Sequence, residues 1–170
     1  MAVISLLSDF GMKDSYVAQM KAIILSINPE VRIIDITHEI EKFNIRNGAF
    51  VLASAVNSFP PKSIHVAVVD PGVGTKRRPI IIKTKKSLFV GPDNGLLILA
   101  ANQESIVKIY SIENSQYTLS NISKTFHGRD IFAPAAAYLS TGIPSSLFVN
   151  KGNFSKLFNA NVGELFIVSG

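Results

Sequence analysis

The sequence predicts an α/β protein, a three-layer domain with a mainly parallel central sheet flanked by helices. Three observations carry that reading. Short apolar runs rich in β-branched residues alternate with segments of helical period, in the order strand, helix, strand, helix, strand from Val3 to Val69, which is the pattern of βαβ units with right-handed crossovers. The runs are apolar almost throughout rather than at every second position, as in strands covered on both faces. A chain of 170 residues that is 47% hydrophobic and 17% charged also supplies one ordinary core, burying roughly 70% of the surface of its unfolded form.

Val3 to Leu7 reads as a buried strand that empties into the polar loop Ser8-Asp9-Phe10-Gly11. A helix is predicted from Asp14, a good N-terminal residue, because Val17, Met20, Ala22, Ile23, Ile24 and Ile27 keep helical spacing until Asn28-Pro29 stops it. Val31 to Ile36 is the second strand. Asn44 to Phe59 is the second helix, ended by Pro60-Pro61. Ile64 to Val69 is the third strand and opens into Asp70-Pro71-Gly72-Val73-Gly74-Thr75. Shorter strands follow at Ile80 to Thr84, Leu88 to Val90 and Ile106 to Ile112. The last helix runs from about Asp130 to Ser140, with Pro134 near its first turn and Gly142 and Pro144 beyond its end. Gly163 to Val168 begins a further strand.

Composition excludes several function classes. Cysteine is absent, which removes disulfides, thiolate nucleophiles, iron–sulfur clusters and thiolate zinc sites together, so catalysis falls to oxygen and nitrogen groups. The net charge of +5 gathers in Lys76-Arg77-Arg78 and in Lys83-Thr84-Lys85-Lys86, the latter read as a solvated hairpin turn. No basic stripe interleaved with aromatics is visible, so no nucleic-acid partner is predicted. The longest apolar runs, Gly95 to Ala101 and Ile64 to Val69, fall far short of the roughly 18 to 20 residues that cross a bilayer. Met1 is followed by no basic region, apolar stretch and cleavage site in series, so a cytoplasmic protein is expected.

In a parallel sheet, ligands bind beyond the carboxyl ends of the strands, so polar residues directly after strands come first. One cluster is Ser8-Asp9-Phe10-Gly11 with Asp14 and Tyr16, which puts two carboxylates at one mouth. The second is Asp70 to Arg77, where two glycines allow close backbone approach and an acid and a guanidinium lie seven residues apart. The third is Thr125-Phe126-His127-Gly128-Arg129-Asp130. Each also has a plain structural reading: Asp14 as a helix cap, Asp-Pro-Gly as a turn, His127 as a hydrogen-bonding residue. His38 and His65 read as structural. Gly72-Val73-Gly74 lacks the third glycine and the helix of a dinucleotide fingerprint, and no phosphate-loop lysine pattern occurs.

Together these segments resemble the S-adenosyl-L-methionine hydroxide adenosyltransferases, which are related to fluorinating and chlorinating enzymes that use the same substrate. The likeness runs through Leu7-Ser8-Asp9-Phe10-Gly11, Tyr16-Val17, Ile27-Asn28-Pro29, Asp35-Ile36-Thr37-His38, Val68 to Thr75, Gly91-Pro92-Asp93-Asn94-Gly95 and Thr125 to Ala136, and covers about residues 3 to 150. It implies hydrolysis of S-adenosyl-L-methionine to adenosine and L-methionine by a water-derived nucleophile, with S-adenosyl-L-methionine as substrate, no cofactor and no metal. The family's catalytic trio falls on Asp70, Arg77 and His127. Asp9 and Asp14 match the acids that hold the ribose hydroxyls. Tyr16, Phe43, Thr125 and Phe126 complete the implied substrate contacts, although Lys42-Phe43-Asn44-Ile45 stands where the family usually has proline and aspartate.

Halide-using relatives carry an aromatic hydroxyl residue in place of Asp70, and the fluorinating ones a serine in place of Gly128, so the resemblance favours hydrolysis over a halide-dependent adenosyl transferase. It also implies a homotrimer and a second, smaller β domain holding adenine and methionine. The expected division is an α/β domain over 1–160 and the start of a truncated C-terminal β domain over 161–170, the rest of that domain being absent. On that division a non-catalytic adenosine-binding or assembly remnant is the alternative from another class.

Overall fold

The computed structural model describes residues 2–149; the strand read in Gly163 to Val168, and with it the 161–170 segment, lies outside the described residues. The protein has one six-stranded sheet made of β1 (Val3–Ser8), β2 (Arg32–Thr37), β3 (Ile64–Val68), β4 (Pro79–Thr84), β5 (Leu88–Pro92) and β6 (Ile106–Ser111), in the spatial order β2-β1-β3-β5-β4-β6. β1 pairs in parallel with β2 and β3, and β3 with β5, whereas β4 runs antiparallel between β5 and β6. The sheet is therefore mainly parallel, with β4 alone reversed.

The inner strands β1, β3, β4 and β5 are apolar on both faces because both of their faces are covered, whereas the edge strands β2 and β6 are largely exposed or half-buried. Ile4 and Leu6 of β1, Val66 and Val68 of β3, Ile81 of β4 and Val90 of β5 enter one core. The intervening Leu7, Ala67, Ile80, Ile82 and Phe89 enter the other, as the two-residue period of a strand requires. Helix α1 (Tyr16–Ile27) and helix α4 (Ala133–Ser140) cover the first face through Met20, Ile24, Ala133 and Ala136. Helix α2 (Ile45–Ala55) and helix α3 (Ile98–Gln103) cover the second through Ala49, Leu52, Ala100 and Ala101. The crossover from β1 to β2 and the one from β2 back past β1 to β3 run in opposite directions, and their helices lie on opposite faces, as a single crossover hand demands.

That reversal makes the β1/β3 crevice the topological switch point of the sheet. Ser8 stands opposite Val68, so Asp9 and Asp70 leave the sheet side by side at its carboxyl end.

Several expectations need correction. The first helix begins at Tyr16 with Ser15 in the cap position, not at Asp14. The second helix ends at Ala55 and tightens into a 3₁₀ turn, Val56–Ser58, before Phe59. The last helix is preceded by a single turn of π-helix, Gly128–Phe132, and Pro134 sits in the first turn of α4. Helix α3 lies where the sequence shows only the apolar run Gly95 to Ala101. Among the described residues no helix is long and apolar enough to cross a membrane.

Candidate active site

Arg77 is the centre of the site. Its Nε donates to both carboxylate oxygens of Asp70 at 2.9 Å, and its Nη2 donates to Asp70 Oδ2. The same Nη2 lies 2.8 Å from Nδ1 of His127. A guanidinium only donates, so Nδ1 must be the accepting, unprotonated nitrogen, and the neutral imidazole carries its proton on Nε2. Burial lowers the His127 pKa below the ordinary imidazole value, and the Arg77 charge lowers it further; Asp70, Asp130 and a backbone hydrogen bond to Ser123 oppose them. The guanidinium itself is held over the buried Phe132 ring, 5.2 Å from its centroid. The Asp70 and Arg77 side chains are 4% and 9% exposed, so this ion pair is largely shielded from water and fixed in geometry. Arg77 Nη1 is buried without a hydrogen-bond partner among the described residues.

The loop from Asp70 to Arg77 is a tight turn closed by Val73 N–H on the Asp70 carbonyl and by the Thr75 N–H and hydroxyl on the Gly72 carbonyl. Gly74 has φ +76°, and a Cβ there would stand 2.2 Å from the Lys124 carbonyl oxygen. Only glycine allows the two loops that carry Asp70 and His127 to meet so closely. Asn94, from the Gly91 to Gly95 motif, donates from Nδ2 to the Val69 carbonyl at 2.9 Å, bracing the backbone immediately before Asp70.

Beside this group lies a cavity of about 290 Å³ lined by Asp9, Phe10, Asp14, Tyr16, Lys42, Phe43, Val68, Asp70, Val73, Thr125, Phe126, His127 and Gly128. All nine candidate residues from the sequence therefore converge here, with Arg77 joined through its partners Asp70 and His127. Phe10, Tyr16 and Phe126 pack edge-on or tilted with ring centroids 4.8 to 5.8 Å apart, making one aromatic wall. Asp9 is almost fully buried and accepts the Phe43 N–H at 2.9 Å. Phe43 itself holds φ +64°, and the residue, which lines the cavity, is 61% exposed. A non-glycine residue in the left-handed region costs roughly 1 to 2 kcal/mol, and this one is held there by a carboxylate.

Sequence reasoning missed Lys42, which carries no motif signal. It also missed Asp130 as a buried anchor. His38 and His65 are structural as expected. His38 Nδ1 meets Ser8 Oγ at 2.7 Å while its carbonyl accepts the Gly11 N–H, bracing the Asp9 loop from behind. His65 meets Ser5 Oγ at 2.7 Å and lies between Phe59 and Phe89.

Residues 4–148 match the family model described as the SAM hydroxide adenosyltransferase N-terminal domain. The chain is similar to a protein named (R)-S-adenosyl-L-methionine hydrolase from Methanocaldococcus jannaschii, 47% identical over 140 residues, covering 79% of this chain and 52% of the relative. A protein of the same name from Salinispora tropica is 45% identical over 142 residues, covering 83% of this chain and 54% of the relative. A fluorinase from Actinoplanes is 25% identical over 165 residues, covering 84% and 55%. The chain thus spans about half the length of the curated relatives it matches. Among solved structures, an uncharacterized conserved protein from Thermotoga maritima superposes with a TM-score of 0.84 at 48% identity, covering 86% of this chain and 57% of that one.

Proposed function

The chain belongs to the SAM hydroxide adenosyltransferase family through its N-terminal domain, and from that premise we propose that it hydrolyses S-adenosyl-L-methionine to adenosine and L-methionine. The observation that supports this most is the Asp70–Arg77–His127 group set against a cavity whose lining carries two further carboxylates, Asp9 and Asp14. A sulfonium is already a good leaving group. The difficult part is to present a poorly solvated oxygen in line with the C5′–S bond.

In the proposed reaction the water oxygen bonds to C5′ as the C5′–S bond breaks, and sulfur leaves with the electron pair as the thioether of methionine. The water proton passes to Asp70 and on to solvent, while His127, its Nδ1 already taken by Arg77, helps to hold the water. Arg77 occupies both oxygens of Asp70, yet a carboxylate has about four lone-pair sites and keeps capacity to accept from water. Asp9 and Asp14 suit the ribose hydroxyls as paired acceptors, and the Phe10, Tyr16 and Phe126 wall with the Phe43 ring suits the flat and apolar parts of the substrate. An anion such as halide would meet the Asp70 charge, which favours water as nucleophile.

As proposed, the reaction uses no cofactor and takes place in the cytoplasm. We assign it to the 1–160 domain, acting within a homotrimer. The test is turnover of S-adenosyl-L-methionine in heavy-oxygen water. Adenosine labelled at its 5′ oxygen is the expected product. Methylated products, a halogenated nucleoside formed in preference when halide is present, or no turnover would overturn the proposal.

A further inference from the structure

We infer that Asp130, which lines no part of the cavity, is a positioning residue that holds the loop before it so that His127 meets Arg77 through Nδ1. The inference rests on the reading of His127 as part of the reaction site. Asp130 has no solvent exposure, and every polar group it owns is spent on that loop or on its neighbour. Its Oδ2 accepts the Ser123 N–H at 2.8 Å, its carbonyl accepts the Leu119 N–H at 2.9 Å, and its own N–H donates to the Phe126 carbonyl at 3.1 Å. Ser123 passes the restraint on, because its Oγ accepts the N–H of Phe126, the residue directly before His127, at 2.9 Å. One buried carboxylate thus fixes the backbone directly before His127 through a single residue.

The charge on Asp130 is answered by Arg129, whose Nε donates to Oδ1 at 2.6 Å. Arg129 also donates to Gln19 Oε1 of α1 at 3.0 Å and lies over the Phe126 ring, 5.0 Å from its centroid. The network therefore ties the loop to a rigid helix. The residues from Leu119 to Phe126 form no helix or strand of their own, so without these bonds nothing regular in the backbone would fix where His127 begins. The π turn suits this arrangement: its wider winding lets His127 line the cavity while Asp130, three residues on, is buried beneath the loop.

The test compares Asp130→Asn, Ser123→Ala and His127→Gln, assayed well below their melting temperatures. Asp130→Asn keeps the shape but turns an amide N–H₂ toward Ser123 N–H or Arg129 Nε, donor against donor. The expected results are a fall in kcat of about 10- to 100-fold with KM changed only a few-fold, and a smaller fall in the same direction for Ser123→Ala. Nitrogen NMR of the imidazole should show the Nε2–H tautomer of His127 in the parent and its loss in Asp130→Asn, a signature that general destabilisation does not produce. Unchanged kcat and tautomer in a folded Asp130→Asn would overturn the positioning role even where His127→Gln is inactive. Full activity of His127→Gln would instead overturn the site reading and leave the NMR result to decide the positioning role. Should Asp130→Asn fail to fold, the tautomer and kcat of Ser123→Ala decide in the same way.

Discussion

Gly74→Ala isolates the contact on which the site's geometry depends. In the left-handed conformation that Gly74 holds, an alanine costs roughly 1 to 2 kcal/mol. Its Cβ would lie 2.2 Å from the Lys124 carbonyl oxygen where ordinary contact begins at 3.4 Å, so the two loops must part by about 1.2 Å. The atom it meets is backbone and cannot swing aside. Lys124 lies three residues before His127, and Gly74 three before Arg77, so the same displacement acts on the 2.8 Å contact between Arg77 and His127 and breaks it.

A misplacement of about 1 Å at a reacting centre costs on the order of 100-fold in rate. With overpacking of about 1 to 3 kcal/mol added to the backbone term, the melting temperature should fall by several degrees. Gly72→Ala is the control, because its Cβ finds nothing nearer than 3.4 Å and its φ is not left-handed. Both variants should be measured for kcat, KM and thermal melting. Gly74→Ala should lose about two powers of ten in kcat while Gly72→Ala stays near the parent. If the two variants match, the close approach of the loops does not govern the site.

Asp70→Asn should depress kcat far more than KM because it removes the charge from the reacting pair, whereas Asp9→Asn, which can still accept the Phe43 N–H through its amide oxygen, should mainly raise KM; steady-state kinetics of both variants check the split, and the opposite pattern reverses the assignment. The acid limb of the kcat/KM profile should lie below the ordinary histidine range, since burial and Arg77 keep His127 neutral there against the pull of Asp70 and Asp130; a limb above that range would contradict it. His65 carries an acid-stability prediction. Burial, helped by Lys86, pushes its pKa down to about 4 from 6.5, so the unfolded chain takes the proton first. Stability from this residue is complete above pH 6.5 and is lost as pH falls toward about 4, on the order of 3 kcal/mol in all. Denaturant melts from pH 7.5 downward should show that loss in the parent and a shallower one in His65→Leu; equal slopes would remove His65 as the cause.

The fold was legible where one physical cause dominated each segment. β1 and β3 are buried on both faces, and a run such as Ile64-His65-Val66-Ala67-Val68 has few other ways to bury itself. Helix α3 was not legible, because Ile98–Gln103 is short, has no side-chain cap and continues an apolar run that begins outside it. The π turn left no signal either: Gly128–Phe132 carries no side-chain cap and no residue spacing that sets it apart from the α-helix that follows. The site divides along the same line. Asp9 and Asp70 could be found as acids that directly follow strands, but no spacing rule joins Arg77 to His127 across 50 residues, and only the family resemblance suggested that pairing. What neither route separated is which motif residues face the ligand and which hold the backbone. Asp93 and Asn94 look as reactive on paper as Asp70 does, yet Asp93 pairs with Arg78 and Asn94 bonds the Val69 carbonyl. Gly74 and Asp130 likewise act on the loops rather than on a substrate. A polar residue in a catalytic motif is assigned by what its hydrogen bonds already hold: Asp130 is fully committed to the loop before it and to Arg129, whereas Asp9, Asp70 and His127 border the cavity.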